Sequence, residues 1–324
     1  MGGTATTLTL GFDFVAAAAV EFYIKVAIMG GCGNNIFGMS VVHKRERSHD
    51  MVGDYGKVIN ELERYMINTS AEEFSAQRLI DLIGRGVADP NHQRAFDGKT
   101  PLMWLAKMCT TLINGRVHDE IMRGFRFLLQ RHNIDVNLRE RNGNMLIHEV
   151  VRMQDPAFLT MLFENKASRE HVNSVGGIGF SPLHIACSFS TVSIQNIQTL
   201  LENGADPYLP SHAILGYAPL LLAVRECGKS SDLGRLKHIL GIFLDYGVDI
   251  GEFRGARGET IMHVVAVFVN DAGFCTKVLN HGGYRVLNVK NNAGRTPLEE
   301  AETLHRVNVI EAIKRYMSRV RRAG

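Results

Sequence analysis

Apolar positions along this chain gather into short helical blocks. Six of these open on a similar phrase: Thr100-Pro101-Leu102-Met103, Met145-Leu146-Ile147-His148, Ser181-Pro182-Leu183-His184, Ala218-Pro219-Leu220-Leu221, Thr260-Ile261-Met262-His263 and Thr296-Pro297-Leu298-Glu299. Each phrase follows a glycine-bearing turn, such as Asp97-Gly98-Lys99 or Arg257-Gly258-Glu259. A hydroxyl at the first position can accept from an orphan backbone N–H at a helix start, and Pro beside it loses nothing because its own N–H would be unpaired there. Thr100, Ser181 and Thr296 combine both features, so the phrases predict helix N-termini.

A second phrase closes the blocks. Its fullest form is Leu200-Leu201-Glu202-Asn203-Gly204-Ala205-Asp206-Pro207, with weaker forms from Leu128 to Asn137 and from Phe243 to Asp249. Gly204, Gly247 and Asn133 fall just past an apolar helix, where the chain must turn through a left-handed conformation that Gly or Asn tolerates. Each unit therefore reads helix, tight turn, helix, glycine stop and extended loop. Neither helix can hide its apolar face within one unit, so the units must stack around a continuous core.

The paired phrases resemble the ankyrin repeat. An earlier closing phrase, Leu82 to Asn91, adds a degenerate unit over about 54–91 ahead of the six, so the resemblance runs from about Asp54 to the C-terminus. It implies an all-α ankyrin-repeat solenoid of stacked helix-turn-helix units with finger loops over residues 54–324, preceded by a non-repeat segment over 1–53. The steps between opening phrases are 45, 36, 37, 42 and 36 residues, all longer than the usual period of about 33. The two largest insertions are expected between paired helices, at Cys109 to Asp119 and at Arg225 to Leu233, where polar and glycine residues interrupt the pattern.

Composition changes this picture little. The chain is 45% hydrophobic and 21% charged, with a formal net charge of +3, too small to argue for nucleic acid. Its cysteines, Cys32, Cys109, Cys187, Cys227 and Cys275, are scattered, without a CxxC pair and odd in number. Neither a disulfide framework nor a zinc site is expected, and a reducing compartment, cytoplasm or nucleus, is the simplest assignment. Among the thirteen histidines, His148, His184 and His263 hold the same place in three opening phrases. Equivalent positions in a stack lie a whole repeat apart and do not converge on a metal. The resemblance gives these histidines a structural role, hydrogen-bonding near the turn that joins neighbouring units. Gly204 and Gly247 are structural in the same sense. No residue is assigned to catalysis, to a cofactor or to a metal.

Three terminal motifs carry alternative chemistry. Phe12 to Met29 is apolar but holds Asp13, Glu21 and Lys25, and a charge at the centre of a membrane span costs about 2.5 to 3.5 kcal/mol. A packed helix or strand is the expected form. Gly33 to Ser40 has the spacing of a phosphate-binding loop, but Met39 stands where the lysine should be, which argues against a nucleotide-dependent enzyme. Met1-Gly2-Gly3-Thr4-Ala5-Thr6 fits the loose N-myristoylation pattern at Gly2, and one acyl chain alone gives marginal membrane binding. At the other end, the basic run from Lys314 to Arg322 complements the negative end of a helix dipole.

The resemblance points to a protein-protein interaction module, an adaptor or scaffold that grips a protein partner on its concave face and finger loops. Ankyrin proteins touch partners with the loops before each opening phrase, here Gln93 to Lys99, Leu138 to Asn144, Ser174 to Phe180, Tyr208 to Tyr217, Gly251 to Glu259 and Val289 to Arg295. These windows hold eight basic against four acidic residues. Arg139, Arg141, Arg254, Arg257 and Lys290 are the expected cationic contacts to an acidic segment of the partner, with Phe96, Tyr208 and Phe253 as apolar anchors. Alternatives within the same class are a stoichiometric inhibitor of a Rel/NF-kappa-B-type transcription factor, or a viral or bacterial ankyrin protein that modulates a host.

Overall fold

The computed structural model describes residues 60–323, apart from Val87, residues 110–114, Asn165 and Ile214. The expectations for the membrane-like run, the phosphate-loop spacing, Gly2 and Cys32 lie outside the described residues. Within them the chain forms seven helix pairs. The first is α1 (Glu61–Asn68) with α2 (Ala76–Gly84). The six that follow the opening phrases are α3 (Pro101–Met108) with α4 (Gly115–Leu129), α5 (Leu146–Val150) with α6 (Ala157–Glu164), α7 (Pro182–Ser188) with α8 (Ile194–Glu202), α9 (Pro219–Ser230) with α10 (Leu233–Asp245), α11 (Ile261–Phe268) with α12 (Ala272–Asn280), and α13 (Pro297–Thr303) with α14 (Val307–Ala323).

Each opening phrase starts its helix by the expected chemistry. The hydroxyls of Thr100, Ser181 and Thr296 accept from the backbone N–H groups of Met103, His184 and Glu299, and Pro follows each. First helices pack in series from α3 through α5, α7, α9 and α11 to α13. Second helices form their own row, α2 with α4, α6, α8 and α10, and α12 with α14. The result is a layer of first helices beside a layer of second helices, the all-α stack that the phrases imply.

The core runs without a break through the described units, from Leu62 and Leu79 past Phe125, Phe158 and Phe243 to Phe274 and Ile313. Phe125 and Phe158 meet edge-on at 5.2 Å between centroids, joining α4 to α6. Burial at about 25 cal/mol per Å² of apolar surface makes such contacts the main attraction between units, because no unit covers its own face.

Hydrogen bonds fix the stacking register. At the start of α8, Asn196 is fully buried and its amide donates to the carbonyls of Val151 (3.0 Å) and Met153 (3.3 Å), just past the end of α5 in the preceding unit. Arg235 on α10 donates to Ala186 and Val192, and Arg306 before α14 donates to Val267. Each side chain thus satisfies carbonyls left open where a first helix ends. Nothing in the repeat phrases marks these residues.

One expected insertion is placed differently. Residues 225–230, read as an interruption for their polar and glycine content, are helical and lengthen α9 to twelve residues. A Cβ on Gly228 would stand 2.5 Å from the carbonyl oxygen of Phe268, so glycine here lets α9 lie close to the end of α11. The helix stops at Ser231, which takes a left-handed φ of 59°.

Candidate partner-binding surface

The finger loops are built from one local hydrogen-bond pattern. Arg94, Glu140, Gly176, Ser211, Gly255 and Asn291 each donate a backbone N–H to the carbonyl at the far side of the finger, on Lys99, Asn144, Phe180, Tyr217, Glu259 and Arg295. The glycine at each tip, Gly98, Gly143, Gly179, Gly216, Gly258 and Gly294, has φ between 55° and 81°. That left-handed turn is the reason a glycine precedes every opening phrase.

Neighbouring fingers are also joined. Backbone N–H groups of Arg141, His212, Ala256 and Asn292 donate to the carbonyls of Asp97, Gly179, Leu215 and Arg257 at 2.8 to 2.9 Å. Between the second and third fingers the chains pass so closely that a Cβ on Gly177 would fall 1.5 Å from the Asn142 oxygen.

The three periodic histidines hold this surface to the helices beneath it. In each, Nδ1 accepts from the backbone N–H three residues earlier, at Met145, Ser181 and Thr260, at 3.1 to 3.2 Å. That leaves the proton on Nε2, which donates onward to the carbonyls of Ser174, Tyr217 and Arg295 at 2.9 to 3.0 Å. Burial lowers all three, with His148 and His184 brought to about 4, against the smaller raising effect of the carbonyl bond. They are neutral bridges at neutral pH. In the last unit the Glu299 carboxylate takes the same place and accepts from the Thr296 N–H at 2.7 Å.

The first two fingers are also tied by charge. Lys99 contacts Glu140, and lies 3.4 Å from Glu149. Glu140 accepts from Asn144, whose own oxygen accepts from the Gly177 N–H. This buried chain runs from the first finger to the third.

The structure separates the expected contact residues into three groups. Phe96 is 60% exposed and carries the Arg94 guanidinium over its ring at 4.6 Å, while Arg257 and Lys290 have exposed side chains on the last two fingers. Arg139, Arg141 and Arg254 are exposed residues whose guanidinium groups are already in use. Arg139 donates to Gly143 and Val175, Arg141 to Ala95, and Arg254 to Gly251 and Phe253.

In the third group, Phe253 corrects the sequence reading. Phe253 is 1% exposed and packs on Tyr208 at 5.2 Å, so it is part of the core and offers nothing to a partner. Tyr208 lies in the closing loop before the fourth finger, 40% exposed, and its hydroxyl accepts from the Asp249 N–H at 2.7 Å. Asn91 and Asn173 do the same work in earlier closing loops, accepting from the N–H groups of Asp135 and Asp206. Gly204 and Gly247 end α8 and α10 with φ of 88° and 70°.

Four free cysteines, Cys109, Cys187, Cys227 and Cys275, are buried, and burial raises each thiol. Among the described residues no group of three or more His, Cys, Asp or Glu side chains is placed to hold a metal ion. Nor is any described helix long and apolar enough to cross a membrane.

The family model described as Ankyrin repeat matches residues 178–212, from the end of the third finger through α7 and α8 to the start of the fourth finger. No curated protein matches the sequence. Among solved structures, the ankyrin repeat domain of Bcl-3, a member of the IkappaB protein family, is similar over 80% of this chain and 99% of its own, with 18% identity and a TM-score of 0.57. A chain from the complex of the Bd0816 predatory endopeptidase of Bdellovibrio bacteriovorus with immunity protein Bd3460 is similar over 65% of this chain and 96% of its own, with 16% identity and a TM-score of 0.50. At these identities the likeness is one of fold. Together with the repeated fingers, the histidine bridges and the two helix layers, it makes the chain an ankyrin-repeat protein.

Proposed function

We propose that this chain is a protein-protein interaction module that grips a protein partner with its finger loops and the exposed parts of its first helices, as an adaptor or scaffold without catalysis of its own. The observation that carries the reading is the joined row of fingers. Backbone bonds from finger to finger and buried bridges below hold the loops in place before any partner arrives, which lowers the ordering cost of association. Exposed loops fixed on a rigid scaffold are where binding residues concentrate.

Phe96, Arg257 and Lys290 are the residues we assign to direct contact, and their charge favours an acidic segment. Arg139, Arg141 and Arg254 contribute through the loop shapes they hold and the positive field they leave at the surface. We place the start of the array at the α1–α2 pair. The buried free thiols fit a reducing compartment, cytoplasm or nucleus.

The likeness to Bcl-3 along nearly the whole of that domain supports testing a second role in the same class, a stoichiometric inhibitor of a Rel-type transcription factor. Affinity purification from the source cells with wild-type chain and with a Phe96→Ala, Arg257→Glu, Lys290→Glu variant tests the reading. A specific protein co-eluting with the wild type and lost from the folded variant supports it, and a Rel-type partner would select the inhibitor role. Equal recovery by both removes the fingers from the account.

A further inference from the structure

The helix α14 is longer than its neighbour in the second-helix row. The two start level, because Asn308 in the first turn of α14 donates to the side-chain and backbone oxygens of Asn270, just before α12. From that shared start α12 runs nine residues and α14 seventeen. The eight residues by which they differ carry α14 about 12 Å past the end of α12.

This projection is apolar along one stripe and basic beside it. Val309, Ala312 and Ile313 bury the side of α14 that faces the core, and Tyr316, Met317 and Val320 continue that side at helical spacing. Val320 is nonetheless 56% exposed, since the fold ends beneath it. Tyr284, 48% exposed, stacks on Tyr316 at 6.0 Å and widens the apolar surface. At about 100° per residue, Arg315 and Arg319 fall along one margin of the stripe, and Lys314 and Arg321 along the other. Lys314 is paired with Glu302 at 2.7 Å. Arg315, Arg319, Arg321 and Arg322 are exposed and have no ion pair among the described residues, and no Asp or Glu occurs from Lys314 to Gly324. The helix dipole accounts for cations in the last turn, but not for an apolar stripe left open between them.

We infer that the projecting end of α14 docks on an anionic membrane, with its four free guanidinium groups on lipid headgroups and Val320, Met317 and Tyr284 in the boundary with the acyl chains. An apolar stripe with cations on both margins is how a helix lies in the interface plane, its long side chains reaching back to the headgroups. Tyrosine suits that depth, because its ring is apolar and its hydroxyl stays wet. Other anions fit less well. Single-stranded nucleic acid stacks its bases on aromatic faces, and here the two tyrosine rings are stacked on each other. An acidic peptide would need a groove wall, and residues 318–322 are all exposed without one. The inference does not depend on the finger-loop reading.

The test is flotation of the full chain with vesicles of phosphatidylcholine alone, and with about 30% phosphatidylserine added. Binding is expected only on the phosphatidylserine vesicles, and should fall as salt rises from about 0.05 to 0.5 M. Arg319→Gln with Arg321→Gln should weaken it about tenfold or more. Arg126→Gln with Lys237→Gln, which removes two exposed cations from α4 and α10, should leave it unchanged. Val320→Ser should weaken binding at constant charge, and Val320→Trp should keep binding with emission shifted to the blue on the vesicles. All of these positions are exposed, so circular dichroism spectra should match the wild type. Equal binding to both kinds of vesicle, or full binding by the folded Arg319→Gln, Arg321→Gln protein, would overturn the inference. So would a single-stranded oligonucleotide or a polyglutamate peptide that binds more tightly than the vesicles and depends on the same two arginines.

Discussion

Nε2 of His184 donates to the carbonyl oxygen of Tyr217 at 3.0 Å, reaching from the first helix of one unit to the base of the next finger. The same carbonyl accepts from the Ser211 N–H that closes that finger. One buried imidazole therefore couples a helix start, a finger and the contact between units.

This coupling sets a pH dependence. The histidines are neutral in the fold because burial opposes their charge, while in the unfolded chain they protonate near the ordinary value of about 6.5. Their folded values are depressed, so their contribution is complete above pH 6.5 and is lost as the pH falls towards about 4. For His148 and His184 the loss is on the order of 3 kcal/mol each by the end of that window. Urea denaturation at a series of pH values should show the midpoint falling between neutral pH and pH 4.5. A midpoint that is flat or rises over that range would contradict the bridge assignment.

Removing one bridge isolates its effect. His184→Ala leaves the buried Ser181 N–H without its acceptor and removes one of the two donors to the Tyr217 carbonyl, with an expected cost of about 2–4 kcal/mol. His212, whose side chain is exposed, serves as the control. If His212→Ala and His184→Ala shift the denaturation midpoint equally, the bridge contributes nothing particular.

Two glycines make opposite claims about space. A Cβ added at Gly204 would have nothing within 4 Å, so Gly204→Val pays only for its left-handed φ of 88°, about 1–2 kcal/mol. Gly204→Asn should recover most of that loss. Gly177 lies instead against backbone, and Gly177→Ala should be the more damaging change because the second and third fingers must separate to admit a methyl group. Thermal melts of the three variants give the order, and a Gly177→Ala protein as stable as wild type would show that the fingers are not in contact there.

The finger cations divide by what they touch. Arg139→Lys should loosen the second and third fingers, seen as faster amide exchange at Gly143 and Gly176, because a point charge replaces a fork that reaches Gly143 and Val175. Lys290→Glu should leave exchange unchanged and instead slow association with an acidic partner in a salt-dependent way. Identical behaviour of the two variants would erase the distinction between scaffold and contact residues.

Helix starts and finger turns were legible from the sequence because their causes are local, whereas the role of the histidines came from the resemblance, since the carbonyls they reach lie 26 to 33 residues away. A hydroxyl, a proline and a glycine within a few residues define the finger and the helix that follows it. The roles of Phe253 and Tyr208 were not legible, since both depend on contacts across a closing loop and, for Tyr208, with Asp249 forty-one residues away. Arg139 and Arg141 looked like free loop charges for the same reason, because their carbonyl partners belong to neighbouring fingers. Gly228 misled in a different way: a glycine that breaks an isolated helix can, in a stack, be what allows the next helix to approach.

Hydrogen–deuterium exchange on the chain alone and in complex with the protein it captures from source cells tests the central claim most directly. The account predicts slowed exchange at the finger tips, residues 94–98, 139–143, 254–258 and 291–294, with the second helices unchanged. Protection confined to the second helices, with finger exchange the same in both states, would contradict it.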